Sequence, residues 1–423
     1  MVLQGIDSPD YSMKKKSVLF FHQSGAIGGA GVSLIHVLNS LDRSRYSICV
    51  VCPSVPNDMV KALEGMKVKV IPTDNTPILF PHYNGGIKYA FSIRTMINAI
   101  QLIRDKRTVC KIIEREKPDI VAVNSMALSH IGRYAKKNNI RTVCFDRETF
   151  QKGFLGIRTF IIKKWMSNYF DKVVFISKYD FSQLDNRGGC EKIIIYDKVD
   201  IKRYEIKGCK DLTDGESVKI LFLGGISRIK GSHILIEAAR ILQNEKIEFF
   251  LVGDEASLIT PMTWKDSIAS KLKLTSLALT KAAYHRIDNK EHIHFIPPSV
   301  RPEEYYLNSD IVVFPSTVAH QARPVYEAGA ARKPIIISDF IETKEFCEDK
   351  RNVICFKACD YKDLANKIRY LIKNKEMWAC ITSNNYMRTQ LYHNLKDLPG
   401  ELTSVFEEDY KEEAGDIKSR KAE

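Results

Sequence analysis

Two stretches with the same layout decide the fold: Ser17–Gly31 reads "SVLFFHQSGAIGGAG", and Val218–Ala238 reads "VKILFLGGISRIKGSHILIEA". In each, a run rich in Val, Leu, Ile and Phe leads into glycines and then into a segment with helical spacing. A buried strand, a glycine turn and a helix form the opening unit of a parallel α/β sheet. Because the layout occurs twice, the sequence predicts two similar domains in tandem.

Further apolar runs, rich in Val and Ile and bounded by turn residues, predict the other strands. They are Tyr46–Pro53, Lys67–Thr73, Asp119–Ser125, Arg141–Asp146 and Asp171–Ser177 in the first half, and Ile247–Glu255, His292–Pro298, Asp310–Ser316 and Lys333–Asp339 in the second. Short, nearly continuous apolar strands separated by helices are typical of a doubly wound sheet covered on both faces.

The predicted domains are residues 1–200 and 201–390, followed by a C-terminal helix and charged tail, 391–423, that could pack back on the first domain. The polar, turn-rich segment Val199–Ser217 is interpreted as the linker. Since ligands of open α/β sheets bind beyond the carboxyl ends of the strands, two facing domains would share a cleft.

Composition narrows the class of protein. The 423 residues carry a formal net charge of +13, and residues 1–200 hold 30 Lys/Arg against 18 Asp/Glu, whereas the remainder holds 34 against 33. A basic half suits nucleic acid, an acidic lipid surface or a phosphorylated substrate, or serves solubility alone. No aromatic-rich RNA signature favours nucleic acid. The sequence has no run of about 18 apolar residues, no signal-peptide pattern and no closely paired cysteines. We therefore expect a cytoplasmic protein with reduced thiols.

Two glycine loops are candidate phosphate sites, because glycines at a helix start let an anion approach backbone N–H groups. Gly28 and Gly29 lie in the first loop, and Gly224 and Gly225 in the second. Tight turns are the alternative interpretation of both.

The second loop also carries Arg228 and Lys230, two cations suited to a diphosphate, although a solvated charged loop is the alternative. No Asp-x-Asp motif is present, so no metal site is predicted.

A single carboxylate, Glu327, stands among small residues in "HQARPVYEAGAARKPII", residues 320–336. It is either the solvated edge of a helix or an acceptor of hydrogen bonds from a ligand.

Together these segments resemble the GT-B glycosyltransferases of the retaining family-4 type, over roughly residues 17–390. "FLGGISRIKG" is similar to the family's phosphate loop, and "RPVYEAGAARKPII" to its glutamate motif. The resemblance implies that Glu327 accepts hydrogen bonds from the nucleotide ribose and that Lys230 neutralises the diphosphate. It also implies that the alanines and Gly329 leave room for the sugar nucleotide, and that no cofactor or metal is required beyond the nucleotide-sugar co-substrate.

The sequence departs from the family pattern at several positions. The first glutamate of the motif falls at Ala319, and the histidine beside the reacting carbon falls near Phe145. The loop arginine falls at Gly225, so that Arg228 would have to reach in. The sugar contacts would then pass to a set of polar residues, namely His320, Gln321 and Arg323.

The acceptor side belongs to the basic domain, where Asn84, Arg147 and Glu148 are the candidate residues, although the last two could simply pair with each other. Phe154–Phe170 is aromatic, aliphatic and basic, as membrane-surface helices are, but burial in the domain is the favoured interpretation. Thr263–Ile287 is also basic and is either a docking element or an ordinary surface segment.

The function expected is therefore that of a metal-independent hexosyltransferase in polysaccharide or glycan assembly. It would move a sugar, with retention, from a nucleoside-diphosphate sugar to a glycan or polyprenyl-linked glycan, with no nucleic acid as partner. We expect a cytoplasmic protein with peripheral contact to the inner membrane face through the basic N-terminal half. The alternatives are a catalytically weak sugar-nucleotide-binding partner protein and a sugar-nucleotide epimerase. Glu327→Ala is expected to weaken nucleotide binding and spare the fold.

Overall fold

The computed structural model describes residues 15–73, 106–150, 155–185, 188–205, 217–272, 275–299, 301–319, 321 and 323–407. The chain divides into two compact units: the first comprises residues 1–175, 184–193 and 399–423, and the second comprises 176–183 and 194–398. Two of the candidate site residues, Asn84 and His320, lie outside the described residues.

The strands are β1 Lys16–Phe21, β2 Tyr46–Pro53, β3 Lys69–Thr73, β4 Ile120–Val123, β5 Arg141–Phe145, β6 Lys172–Phe175, β7 Glu191–Ile194, β8 Val218–Phe222, β9 Ile247–Val252, β10 Ile293–Ile296, β11 Ile311–Phe314, β12 Ile335–Ser338 and β13 Ile354–Phe356. The α-helices are α1 Gly29–Ser40, α2 Asp58–Gly65, α3 Gly132–Lys137, α4 Ile157–Tyr169, α5 Lys178–Gln183, α6 Ser232–Leu242, α7 Ala256–Ile259, α8 Trp264–Lys271, α9 Ser276–Tyr284, α10 Glu303–Leu307, α11 Arg323–Ala330, α12 Tyr361–Lys373, α13 Lys375–Tyr392 and α14 Leu398–Phe406. Residues 106–116 are also helical.

Among the described residues, each unit contains one sheet. The strand orders are β3-β2-β1-β4-β5-β6-β7 and β10-β9-β8-β11-β12-β13. Neighbouring strands from β3 to β6, and all neighbours in the second sheet, run parallel. The predicted pair of doubly wound α/β domains is confirmed. The sequence patterns missed β7 and β13, which are four and three residues long.

In both sheets the order reverses between the first and fourth strands of the unit: β1 has β2 on one side and β4 on the other, and β8 has β9 on one side and β11 on the other. The loops that leave these two strands diverge to opposite faces of the sheet, which opens a crevice at their carboxyl ends. That crevice is where each unit is expected to hold a ligand.

The beginning of the presumed linker is part of the second core. Val199, Ile201 and Tyr204 are all buried and pack in one cluster with Tyr306. The first six residues of the segment Val199–Ser217, which was interpreted as the linker, therefore pack in the second core, because every second or third side chain there is apolar. Residues 206–216 lie outside the described residues.

Helix α4 packs on its domain by one side and leaves apolar side chains exposed on the other. Ile162 and Met166 are buried, as expected for a helix that packs on its domain. Ile157 and Phe160, on the opposite side, remain 53% and 66% exposed. Within the described residues, no helix is long and apolar enough to cross a membrane.

Helix α14 completes the core of the first unit, although it is nearly the last segment of the chain. The ring of Phe406 packs against Phe20, Phe145 and Tyr46, with centroids 5.7–6.2 Å apart. Arg141 donates from Nη1 to the carbonyl of Phe406 (2.7 Å) and from Nη2 to that of Val405 (3.0 Å), which satisfies carbonyls at the end of the helix.

We predict that Phe406→Ala lowers the free energy of unfolding of the first unit by about 3–5 kcal/mol, because it empties a fully buried aromatic site. Urea denaturation measures this change. Phe160→Ala, an exposed phenylalanine of the same unit, is the matched control, and an equal loss in both variants would contradict the role given to α14.

Candidate functional site

The loop after β8 is shaped by three glycines. Gly225 and Gly231 have positive φ angles of 63° and 82°, which only glycine adopts readily. A Cβ on Gly231 would lie 1.8 Å from the carbonyl oxygen of Pro315, so the loop and the end of β11 touch through backbone. A Cβ on Gly224 would lie 2.7 Å from Cβ of Lys230, so the absence of a side chain there lets Lys230 approach the strand end.

The same loop is joined to the segment after β11 by hydrogen bonds. The backbone N–H of Thr317 donates to the carbonyl of Ile229 (2.8 Å), and its hydroxyl donates to the carbonyl of Arg228 (2.9 Å). The N–H of Arg228 donates to Oγ of Ser276 (2.8 Å). The phosphate-loop candidate and the β11 loop therefore form one rigid edge at the reversal point of the second sheet.

Lys230 is half-buried at this edge. Its Nζ lies 5.1 Å from the ring centroid of Phe314, the last residue of β11. Burial lowers the pKa of Lys230 to about 8. Its ammonium form therefore still predominates at neutral pH, although by a smaller margin than for an exposed lysine, and an anion beside it would raise that pKa again.

Glu327 is buried on helix α11, with 7% of its surface exposed. Arg323, four residues earlier, donates from Nε to Oε1 (2.7 Å), and the hydroxyl of Tyr306 donates to Oε2 (2.8 Å). The interpretation of Glu327 as a solvated helix edge is therefore wrong. Each carboxylate oxygen keeps a second lone pair that can accept a further hydrogen bond.

Arg323, a predicted sugar contact, forms an ion pair with Glu327. Its Nη2 donates to the carbonyl of Lys198 (3.1 Å). Burial opposes the charge of Arg323, but Glu327, with Tyr326 and Asp197, outweighs burial and raises its pKa. Arg323 thus neutralises the carboxylate and holds its rotamer.

The small residues of α11 are explained by helix packing, whereas the resemblance implied that they leave room for a sugar nucleotide. A Cβ on Gly329 would lie 2.2 Å from Oγ1 of Thr389 and 2.8 Å from the carbonyl oxygen of Asn385, both on α13. Ala328 and Ala330 are buried as well. Close packing of α11 on α13 therefore requires these small side chains, and the expectation that Gly329 makes room for a sugar nucleotide is not needed.

Gln321 precedes α11 and contacts the start of the second unit. Its Nε2 lies 3.4 Å from Oδ2 of Asp180, a carboxylate that also accepts a hydrogen bond from Oγ of Ser177 (2.7 Å). Ala319, the position of the family's first glutamate, is 6% exposed. Its methyl group supplies no polar contact there.

In the first unit, the glycine loop after β1 has two kinds of glycine. A Cβ on Gly25 would lie 2.1 Å from the carbonyl oxygen of Pro56, so Gly25 serves backbone packing. Gly28, by contrast, caps the start of α1 with open space around it, and Gly28 and Gly29 are exposed. The amides expected to meet an anion thus lie at an accessible helix start.

The structure brings the predicted Arg147 together with two residues that the sequence patterns missed, His22 and Asn124, at the carboxyl ends of the strands of the first unit. His22 follows β1, Asn124 follows β4 and Arg147 follows β5. Asn124 donates from Nδ2 to the carbonyl of Ala30 (2.9 Å) and lies 3.1 Å from Nδ1 of His22, and Arg147 donates from Nε to Oδ1 of Asn124 (3.2 Å). The signal available in the sequence was a polar residue within two positions of the end of each of three apolar strands.

His22 is neutral in this cluster. Burial, with a smaller contribution from the charge of Arg147, lowers the pKa of His22 to about 4. Its Nε2 makes no hydrogen bond within the described part of the chain. Because Nδ1 faces the amide nitrogen of Asn124 and so accepts, Nε2 carries the proton and is a donor.

Glu148 has a local structural role. It accepts hydrogen bonds from Oγ of Ser125 (2.6 Å) and from the N–H of Met126 (3.2 Å), at the start of the 3-10 helix of residues 126–131. Phe145, at the position of the family's histidine, is buried and stacks on Phe20 with centroids 6.3 Å apart. No group of three or more His, Cys, Asp or Glu side chains within the described ranges is arranged to hold a metal ion.

Comparison with known families covers most of the chain. Residues 27–203 match the family model described as Glycosyltransferase Family 4, and residues 209–388 match the model described as Glycosyl transferases group 1. None of the curated protein sequences matches the chain.

Several solved structures share the fold. HepE from Anabaena, in complex with UDP, has a TM-score of 0.69 at 17% identity, and the match covers 92% of this chain and 99% of HepE. A glycosyltransferase from Rickettsia africae has a TM-score of 0.65 at 15% identity, over 93% and 98% of the two chains. Sucrose-phosphate synthase from Thermosynechococcus elongatus has a TM-score of 0.64 at 14% identity, again over 93% and 98%. At these identities the similarity establishes the fold alone.

The buried pair on α11 generates a stability prediction. Glu327→Ala leaves the guanidinium of Arg323 without its main counter-charge, and we expect the free energy of unfolding of the second unit to fall by about 3–5 kcal/mol. This runs against the expectation that the substitution spares the fold. Urea unfolding measures the change.

Two further variants make this prediction specific. In Arg323→Met/Glu327→Leu both charges are removed, so the double variant should recover most of the lost stability. Glu304→Ala, which removes a carboxylate from an exposed pair with Arg301, is the control and should change stability by less than about 1 kcal/mol. Additive losses at Arg323 and Glu327 would contradict the coupling.

Proposed function

We propose that this chain, a glycosyltransferase of GT-B architecture, transfers a hexosyl group with retained configuration from a nucleoside-diphosphate sugar to a glycan or lipid-linked glycan. The observation that carries the proposal is the place of the two charged groups in the second unit. Lys230 and Glu327 follow β8 and β11, the adjacent strands between which the sheet order reverses. A nucleoside diphosphate presents an anion for the first group and ribose hydroxyls for the second.

The donor would lie across the ends of β8 and β11. The amides after Gly224 and Gly225 and the ammonium of Lys230 would meet the diphosphate, with Arg228 from the same loop. Glu327 would accept hydrogen bonds from the ribose hydroxyls through the lone pairs that Arg323 and Tyr306 leave available. His320 and Gln321 would contact the sugar.

The chemistry requires the bond from the anomeric carbon to the β-phosphate oxygen to break and a bond from the same carbon to the acceptor oxygen to form. The proton of the acceptor hydroxyl passes to the departing diphosphate or to solvent. Negative charge then develops on the β-phosphate. Fixed cations and backbone amides stabilise such charge at low cost, because they are already oriented before the reaction. We propose that Lys230 and Arg228 supply this charge and that transfer needs no metal ion.

The acceptor would bind at the basic first unit. The Nε2–H donor of His22 and the guanidinium of Arg147 would meet acceptor hydroxyls or phosphate near the start of α1. Gly28 and Gly29, whose amides were expected to meet a phosphate, remain proposed contacts. Glu148 acts through Ser125 by holding the end of β4, and Asn84 remains a proposed contact. The exposed Ile157 and Phe160 of α4, with Lys164, support peripheral membrane contact by this half in a protein that works in the cytoplasm.

One observation favours the alternative of a catalytically weak sugar-nucleotide-binding partner protein. The positions of the family's first glutamate and histidine, Ala319 and Phe145, are apolar and buried. Neither Ala319 nor Phe145 can make the polar contacts of the family's glutamate and histidine. In an active enzyme, His22 and Gln321 would have to make them. Measurable transfer excludes this alternative.

The test is a panel of nucleoside diphosphates and their sugars with the purified protein, with and without EDTA. Because HepE is solved with UDP and with UDP-glucose, uridine nucleotides are the first members of the panel to be tested. A ligand at about 100 times its Kd stabilises the folded state by about 2.7 kcal/mol, so the Tm should rise by several degrees. EDTA should leave the shift unchanged, and Lys230→Ala should abolish it.

Nucleoside diphosphate release that requires a glycan acceptor, with the product's anomeric configuration matching the donor's by NMR, supports the proposed transfer. Binding without release favours the partner protein, and turnover without acceptor favours the epimerase. No Tm shift with any nucleotide would refute the donor site.

The lowered pKa of Lys230 generates a second prediction. Below pH 8 the lysine is charged and diphosphate binding is at full strength. As the pH rises above about 8, the unbound protein loses this proton while the complex retains it, so the affinity falls by up to about tenfold per pH unit. Isothermal titration from pH 7 to pH 9.5 measures the slope.

Lys230→Arg is the matched control, because a guanidinium remains charged throughout this range. Its affinity for the nucleoside diphosphate should be independent of pH. The same slope in both proteins would mean that Lys230 does not contact the diphosphate.

A further inference from the structure

Helix α8 presents an apolar stripe outward. Trp264, Ile268 and Leu272 are 71%, 46% and 57% exposed. Their spacing of four residues places them on one side of a helix. A surface helix of a globular domain normally turns such a stripe inward, and α8 buries no residue at all.

The polar side of α8 is the side attached to the unit. Thr263 and Asp266 form a capping box at the start of the helix, and Asp266 also accepts a hydrogen bond at 3.1 Å from Nζ of Lys281, a buried lysine of α9. These hydrogen bonds, those to Thr263 first, lower the pKa of Asp266 to about 2. Asp266, the one carboxylate of the helix, therefore stays ionised, and the ammonium of Lys281 offsets its charge.

The two lysines of the helix border the apolar stripe. At 100° per residue, Lys265 and Lys271 fall about 100° and −20° from Trp264, whereas the stripe runs from 0° to about 80°. Both lysines are exposed, and Nζ of Lys265 lies 5.6 Å from the ring centroid of Trp264. An apolar face with a tryptophan at its end and lysines on both borders is typical of helices that lie in a membrane interface.

The charge pattern selects the occupant. In a twofold contact between two copies of this chain, the lysines on both borders would face lysines, because both partners use the same surface. In an anionic lipid surface, the acyl region accepts the apolar stripe, and the headgroups neutralise the charges of Lys265 and Lys271. Headgroup phosphates therefore fit the helix better than a second copy does.

We propose that α8 docks the second unit on an anionic membrane surface, with Trp264, Ile268 and Leu272 entering the interface and Lys265 and Lys271 contacting lipid phosphates. The surface lies in the half of the sequence that carries almost no net charge, and it is separate from the contact considered for the basic half. The inference does not depend on the proposed transfer reaction.

The experiment is co-sedimentation of the full chain with vesicles of phosphatidylcholine, with and without phosphatidylglycerol. Binding should require the anionic lipid and weaken at high salt, because lysine–phosphate attraction is screened. Trp264 is one of three tryptophans, and the other two, Trp165 and Trp378, are half-buried. Its emission should shift to the blue on vesicle addition, and the shift should vanish in Trp264→Ser.

Single substitutions separate α8 from other exposed apolar residues. Ile268→Ser should lower the vesicle association constant about tenfold by removing apolar surface from the interface. Lys265→Gln and Lys271→Gln should each lower it about fivefold. Ile341→Ser, an isoleucine 72% exposed on another segment of the same unit, is the control and should bind as the parent does.

Three outcomes would overturn the proposal: no vesicle binding at low salt, an equal loss in Ile268→Ser and Ile341→Ser, or a dimer in sedimentation velocity that Ile268→Ser dissociates. The last outcome would assign the stripe to a second copy. The nucleotide-induced Tm shift, measured on the same variants, should stay unchanged. Its loss in the parent would refute the donor site without bearing on the docking of α8.

Discussion

The buried carboxylate of Glu327 is the interaction on which the second unit's candidate site depends. A charge in that position, 7% exposed, is tolerated only because the guanidinium of Arg323 and the hydroxyl of Tyr306 both reach it. Arg323 and Tyr306 each make a further contact with another segment. Arg323 also binds the carbonyl of Lys198, and Tyr306 lies edge-on to Tyr204, 5.6 Å away. One carboxylate therefore orients α11, α10 and the segment that enters the second unit, and it does so while leaving lone pairs on both oxygens.

The position of this carboxylate follows from the sheet. In each unit the strand order reverses beside the first strand, so the loops after β1 and β8 open away from those after β4 and β11. The second unit puts a glycine loop with Lys230 and the helix of Glu327 at that point. The first unit puts exposed glycine amides and the His22–Asn124–Arg147 cluster there. The two units thus place different groups at equivalent places in equivalent sheets: a lysine loop and a buried carboxylate in the second unit, and neutral donors beside a guanidinium in the first.

Local patterns predicted the fold well, because apolar β-branched runs and glycine turns act through neighbours in sequence. They failed for β7 and β13, which are too short to show a pattern, and for Val199–Tyr204, whose polar composition hides three buried apolar side chains. The candidate site was less predictable, because its decisive contacts are not local. Asn124 meets His22 across 102 residues, and Gly329 is small because Asn385 and Thr389 approach it from α13. Arg323 and Glu327 are four residues apart, but their burial, which makes the pair matter, is decided by distant segments.

We propose that Glu327, held by Arg323 and Tyr306, recognises the hydroxyls of a nucleotide ribose. The most direct measurement is isothermal titration of the protein with a nucleoside diphosphate and with its 2′,3′-dideoxy analogue. We expect the ribonucleotide to bind about tenfold more tightly or better, because its hydroxyls donate hydrogen bonds to a charged group, and we expect Glu327→Gln to lose most of this preference. Equal affinity of the protein for the two nucleotides would contradict the claim and leave Glu327 as a structural partner of Arg323.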